Sequence, residues 1–526
     1  MFKSVFLGTP SRLSVAVLTF AVTVLAALAA LGRATFPAVL GQAPHPDGDR
    51  YLCQLGADQI QPDLANAPRY WSYALLQWHH TGIPQQRDCI SYPTSQVPLL
   101  KALEWFSSTV SGRPGTLDFS WLVLANAILI GVIAGLLAVA PRRASLLARS
   151  IACAGLVTIL SDPIFAAYAA GPMGEYVGLV GIALLAVGAA FYAASGIRQP
   201  VGVVMVAAGG LLTLTSKVQA VTILIPLAVM LLLVPIGWRS GRRVSRIRLR
   251  QVLRIFVTRI VGAALIAVFA IVGSWMLANN PKKFQQINPW ELISVGILGH
   301  SQTPGDDLVE MGFPRELDKY AGKTAGDENS IMFAPAWNMY ADKMTYGTVL
   351  AFLAHHPDRI WPLIETASND FFVAQPRYLG ANQPGNGPAQ EPAFSLMAAV
   401  GKSAGGLLEF VGAGLIVAVA AGIAWRRGSP GSSARAYAVA ALLMVGVTFV
   451  QFFTAAFGEA IENTKHLVFA ILASALAVPF VIASFLQPPR DDRTPVVSGE
   501  GIADAGIASR RDFDPDLAAT ETATST

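Results

Sequence analysis

The amino-acid sequence predicts an all-α polytopic membrane protein with about ten transmembrane helices and two large extracytoplasmic segments. Three observations predict it. Of the 526 residues, 53% are hydrophobic and only 13% charged, about half of the roughly 25% charged residues that soluble domains carry. Mean hydropathy is +0.50. Finally, the lysines and arginines stand in short clusters between apolar runs, the pattern of topology signals. A soluble globular enzyme is thereby excluded, and so is disorder outside the C-terminal stretch. The net charge of +5 lies in those clusters rather than along one face, so no nucleic-acid partner is expected.

A membrane-crossing helix needs about 20 mostly apolar residues. Such runs cover 13–31, 121–140, 150–170, 176–194, 201–214, 221–236, 256–278, 406–425, 436–457 and 467–485. Those around Val201 and Val221 are short. The first run follows Arg12 and precedes small residues, as a signal peptide would, but it is long for that role and reads as a retained helix. Lys3, Arg12, Arg142, Arg143, Arg149, Arg198, the arginine-rich stretch from Arg239 to Arg254, and Arg426, Arg427 and Arg435 fall on one side. The short connections on the other side offer only Lys217 and Lys465. By the positive-inside rule both termini are cytoplasmic, in a bacterial plasma membrane.

Residues 32–120 and 279–405 are then external parts of a membrane-embedded domain spanning 1–486. Within the second, 346–372 has helical periodicity broken at His356-Pro357 and is expected to lie along the membrane surface. The tail 487–526, rich in Pro, Asp, Ser and Thr, reads as a disordered cytoplasmic segment. Cys153 lies in an apolar run. Cys53 and Cys89 share the first external segment, where oxidising conditions allow them to pair, and no CxxC or zinc spacing is present.

Ionisable residues near helix depth are the informative ones, because placing them there is unfavourable by roughly 2–4 kcal/mol. Four groups qualify, all on the outer side. The first is Asp47-Gly48-Asp49-Arg50-Tyr51, where one acid can serve as a proton acceptor or the stretch is a solvated loop. In the second, Ser161-Asp162-Pro163, followed by Tyr168 and Glu175, places carboxylates at a turn that equally reads as a capped helix end. Third comes Ser216-Lys217-Val218-Gln219, with a lysine to pair with phosphate or to snorkel to the headgroups. The fourth is Gly458-Glu459, Glu462, Lys465 and His466, a ligand set or a salt-bridged helix start. Glu462 and His466 are four apart, which leaves a divalent metal open, although two ligands are too few to argue for one. Together the groups describe a site for chemistry on a lipid-bound anionic substrate.

Asp47-Gly48-Asp49, Ser161-Asp162 through Glu175, Ser216 to Gln219, His356-Pro357, Pro376-Arg377-Tyr378-Leu379-Gly380, and Gly458-Glu459 with Lys465-His466 stand in an order that resembles the GT-C class of integral membrane glycosyltransferases. More narrowly, they are similar to bacterial hexose transferases of cell-surface glycan assembly. The resemblance spans about residues 13–485. It implies transfer of a sugar from a polyprenyl-phosphate donor to a glycan or glycolipid acceptor at the outer face, among membrane lipids.

The resemblance also implies that an external-loop aspartate deprotonates the acceptor hydroxyl. Asp49 is preferred, since Gly48 frees the backbone before it and Arg50-Tyr51 can orient it, with Asp47 in reserve. Lys217 and Lys465 are expected to hold the lipid phosphate. Asp162, Glu175, Gln219, Arg377, Tyr378, Glu459 and His466 complete the expected substrate contacts. The alternative from another class, a transporter or flippase of lipid-linked sugars, would favour interrupted helices in two related halves; only 216–219 offers such an interruption.

Overall fold

The computed structural model describes residues 12–36, 41–42, 45–59, 76–80, 93–140, 144–194, 198–234, 248–373 and 395–487. Helix α1 (Arg12–Thr35) leads into α2 (His45–Leu55) and a three-stranded antiparallel sheet of β1 (Ala57–Gln59), β2 (Gln77–His80) and β3 (Thr116–Asp118). Helix α3 (Gln96–Ser111) lies between β2 and β3, and ends where Gly112 adopts φ 67 and turns the chain. Trp78, paired in register with Leu117, is buried and anchors the sheet. This small sheet lies in the segment 32–120, for which the sequence offered no secondary structure; its strands are three or four residues long, too short for a period-2 signal to show.

Helix α4 (Phe119–Val139) starts on an Asp118 cap that accepts from Ser120 N–H. Helix α5 (Leu146–Leu160) ends at Asp162-Pro163, where proline lacks the N–H that would continue the ladder, and the chain resumes as α6 (Pro163–Ala166), the pair bent by 54°. Then follow α7 (Glu175–Ala193), α8 (Arg198–Leu214), a 3-10 turn Val218–Ile223 continuing into α9 (Leu224–Leu233), and α10 (Arg248–Ala278). Helix α11 (Lys282–Glu291) passes directly into a π-helical turn, Leu292–Ile297. Short helices lead to α12 (Tyr346–His355), which stops at His356-Pro357 as expected. The last helices are α13 (Leu407–Arg427), α14 (Ser433–Ala456), the single turn α15 (Asn463–His466) and α16 (Val468–Phe485).

The protein is an all-α polytopic membrane protein. Among the described residues, seven helices (α1, α4, α7, α10, α13, α14 and α16) are long and apolar enough to cross a membrane, and the bent α5–α6 pair makes an eighth. The two runs that looked short are the shorter apolar helices α8 and Val218–Leu233.

Helix α7 is central, with 89% of its apolar window buried inside the protein, whereas α1 and α13 bury 11% and 17% and leave their apolar faces to lipid. Without a hydrophobic drive between helices in a bilayer, close approach through small residues provides the packing. At the α7–α8 contact a Cβ on Gly209 would stand 2.7 Å from the carbonyl oxygen of Gly181, so only glycine fits. The segment between α10 and α13 has a separate core, built on Trp290, Leu308, Phe313, Phe352 and Leu363.

The tail 487–526 lies outside the described residues except for Gln487, as do Arg377, Tyr378 and Cys89. Cys53 is disulfide-bonded, and Cys153 is a free, buried thiol.

Candidate functional site

The charged groups collect where several helices end. Lys217 follows the last turn of α8 in extended conformation (φ −148, ψ 151), which carries its side chain away from the helix axis. Glu175 opens α7 and is fully buried. Asp47 lies in the first turn of α2, and Lys465 in α15.

Asp47 Oδ2 accepts from Lys465 Nζ at 2.7 Å and from Lys217 Nζ at 3.2 Å, while Arg50 Nη1 stands 3.0 Å from Oδ1. Lys217 also pairs with Glu175, and Lys465 with Glu462. A chain of alternating charge results, Glu175–Lys217–Asp47–Lys465–Glu462, with Arg50 at its side. Buried charges are tolerable when paired in this way. Burial alone would raise the Asp47 carboxyl, but Lys465, Lys217 and Arg50 outweigh it and hold the group well below the ordinary carboxylate range.

Beside this chain, His466 Nε2 is 3.2 Å from Glu459 Oε2, and Asn288 Nδ2 donates to Glu459 Oε1 at 2.8 Å. Burial opposes ionisation of Glu459, yet His466 and Lys465 keep its carboxyl below the ordinary value. The backbone that presents these residues is strained: Ala460 and Glu462 have φ 59 and 52, the left-handed region that disfavours side chains by roughly 1–2 kcal/mol per residue. The turn is held by the Glu462–Lys465 pair and by Tyr346 Oη, which donates to the Gly458 carbonyl at 2.7 Å. Strain of this kind concentrates at functional sites.

All of this faces a cavity of about 1220 Å³, lined by Asp47, Arg50, Lys217, Gln219, Glu459, Glu462, Lys465 and His466. Among the further polar residues that line it and that the sequence did not single out are Lys283, Asn288, Glu291 and Tyr346. Leu277, at the end of α10, and Phe284 and Ile287 on α11 give one wall apolar character. Glu291 Oε1 accepts from Ala325 N–H at 3.0 Å. Burial, followed by the neighbouring Glu459 charge, pushes the Glu291 carboxyl up to about 8. Lys283 makes no ion pair among the described residues. The signal for these was weak, because Lys283, Asn288 and Glu291 lie in an ordinary polar stretch and Tyr346 opens an apolar helical run, none of them in a motif.

Not every expected site residue lines the cavity. Asp49 is not among the cavity-lining residues, whereas Asp47 is. The stretch read as a loop is a helix, α2, and residues two apart on a helix point about 200° away from each other. Lys217 and Lys465, expected at the lipid phosphate, line the cavity, and carboxylates meet both charges. Asp162 does not line the cavity. Fully buried, it accepts from Ile164 N–H and Ser395 Oγ on one oxygen and from Leu396 and Met397 N–H on the other, with Arg33 at 3.6 Å, and so ties the α5–α6 bend to the segment before α13.

The other candidates divide. Glu175 belongs to the charge chain behind the wall, and Gln219 donates to the His466 carbonyl at 3.4 Å. Glu462 and His466 turn to different partners, Lys465 and Glu459, rather than sharing a ligand position. Among the described residues, no group of three or more His, Cys, Asp or Glu is arranged to hold a metal ion.

No curated protein and no solved structure matches the chain. Residues 4–494 match the family model described as the YfdI N-terminal transmembrane domain. With this match over nearly its whole length, the chain belongs to the YfdI N-terminal transmembrane domain family, which marks it as a membrane glycosyltransferase-like protein.

Proposed function

We propose that the protein transfers a sugar from a polyprenyl-phosphate donor to a glycan or glycolipid acceptor at the outer face of a bacterial plasma membrane. The observation that carries this reading is a single cavity in which a network of carboxylates and cations meets an apolar wall at the end of a spanning helix. Its volume, about 1220 Å³, exceeds the 300–1,000 Å³ of ordinary small-molecule pockets, which suits a sugar, a phosphate and the first part of a lipid chain together. The scarcity of basic residues among the short connections on its side of the membrane supports placing the cavity outside.

Sugar transfer builds positive charge on the anomeric carbon and negative charge on the departing phosphate. Fixed dipoles and charges stabilise such a transition state without reorganising. Here Asp47, Glu459 and Glu462 supply the negative side, while Arg50 and Lys283 stand where a phosphate entering along Leu277 and Phe284 would meet them. Arg50 also stacks over the Phe284 ring at 4.1 Å, which fixes its guanidinium at that apolar wall. Lys217 and Lys465 keep Asp47 ionised and in place. Asp47, rather than Asp49, is then the carboxylate that meets the acceptor hydroxyl.

The test is release of polyprenyl phosphate by the purified full-length protein in lipid nanodiscs. Polyprenyl-phosphate glucose, mannose and galactose serve as donors, with a bacterial membrane-lipid extract as acceptor. Turnover of one donor that collapses in Asp47→Asn but survives in Asp49→Asn is the expected result. Transport of intact donor across the bilayer without release would favour a flippase.

A further inference from the structure

The cavity contains one carboxyl that the charge network leaves out. Asp47 is tied to three cations, Glu462 to Lys465, and Glu459 to His466 and Asn288. Glu291 lines the same cavity, is only 5% exposed, and makes no ion pair among the described residues. One of its oxygens is pinned by the Ala325 N–H at 3.0 Å. The groups facing it across the cavity are Glu459, Glu462, Lys465 and the Tyr346 hydroxyl, so the negative charges on that wall outnumber the single lysine.

The backbone at Glu291 is irregular. Pro289 lies inside α11 and the helix widens to a π turn immediately after Glu291, a feature that often marks functional positions.

We propose that Glu291 is a catalytic residue, the proton acceptor for the incoming hydroxyl, while Asp47 aligns that hydroxyl. The inference rests on the glycosyl-transfer reading. In the step, the acceptor O–H bond breaks and its proton passes to the ionised Glu291 carboxylate. The acceptor oxygen forms a bond to the anomeric carbon, the bond from that carbon to the phosphate oxygen breaks, and its electron pair stays on the phosphate. The proton then leaves Glu291 through the mouth of the cavity. Asp47 is poorly suited to keep this proton, because three cations stabilise its charged form. A carboxyl raised to about 8 is close to the operating pH, where general-base catalysis is most effective.

The test uses full-length wild type, Glu291→Gln and Glu291→Asp in the nanodisc assay with the same three donors, over pH 6–10. Wild-type kcat/KM should rise with pH through an inflection near 8. Glu291→Gln keeps the acceptor for Ala325 N–H, so donor binding should survive. Its rate should fall by about 10²–10⁴-fold and the inflection should vanish, while Glu291→Asp should recover part of the rate and retain an inflection. A wild type that transfers sugar, beside a Glu291→Gln variant with equal rate and the same inflection, overturns the inference alone. A wild type inert with all three donors removes the glycosyl-transfer reading, and this step with it.

Discussion

Replacing Asp47 by asparagine keeps its shape and removes the anion that two lysines share. Both ammonium groups bind the same oxygen, at 2.7 and 3.2 Å, so they lie no more than about 6 Å apart. At an effective dielectric constant of about 20, unit charges at that separation repel by about 3 kcal/mol. Lys217 is 8% and Lys465 1% exposed, so solvent relieves little of it. That repulsion is present in the wild type as well, where the shared Asp47 carboxylate offsets it; Asp47→Asn removes the offsetting attraction, and breaking a buried pair in this way is expected to destabilise the protein by about 3–5 kcal/mol. Lys465→Met alone also destabilises, because Asp47 and Glu462 each lose a partner. Each single variant loses the Asp47–Lys465 attraction in full, whereas the double variant loses it only once, and Glu462, at 23% exposure, can take water as its partner.

The double variant should consequently be less destabilised than the sum of the singles, by about 1–3 kcal/mol, the range found for directly interacting charges. Equilibrium unfolding by denaturant in detergent micelles, at constant pH and salt, measures all four corners of the cycle. Additivity to within about 0.5 kcal/mol would refute the shared-anion geometry. The pH dependence has a definite sign. Asp47 has a lowered folded-state pKa, so its stabilisation is present above its unfolded value, near 3.9, and is lost as pH falls through the folded value. Asp47→Asn should lack this acid-range loss.

Glu291 behaves oppositely. Its folded-state carboxyl is raised from 4.5 to about 8, so the folded protein binds the extra proton between those values, and stability should fall by roughly 5 kcal/mol as pH rises across that window; unfolding curves of Glu291→Gln should be flat there. Gly209→Ala should lower stability by about 1–3 kcal/mol through overpacking at the α7–α8 contact, read as a reduced denaturation midpoint. Asp162→Ala should lower stability by about 1–3 kcal/mol or more, because the Ile164, Leu396 and Met397 N–H groups and Ser395 Oγ lose their acceptor, and leave the pH profile of turnover unchanged; an altered profile would return Asp162 to the site. Reporter fusions after Arg248 should read cytoplasmic and those after Lys319 external, and the reverse at either point overturns the assignment of sides.

Hydropathy and charge spacing by themselves determined the membrane class and where the apolar helices lie, because a bilayer demands about 20 apolar residues per crossing and that demand is local in sequence; of the ten runs, seven or eight are long enough to cross among the described residues. The break at Asp162-Pro163 and the stop at His356-Pro357 were legible for the same reason: proline acts on its own backbone. Asp47, Lys217, Lys465 and His466 were legible as charges in unfavourable places. Their partners were not, since Asp47 and Lys465 are hundreds of residues apart and only helix packing brings them within 2.7 Å. Tertiary structure alone decided that Asp47 rather than Asp49 faces the cavity, because the choice depends on α2 being a helix and on which face it turns inward. Glu291 was invisible as well. An acidic residue in a polar stretch looks solvated until folding removes its water and sets Glu459 beside it, and burial and neighbouring charge are properties of the folded chain.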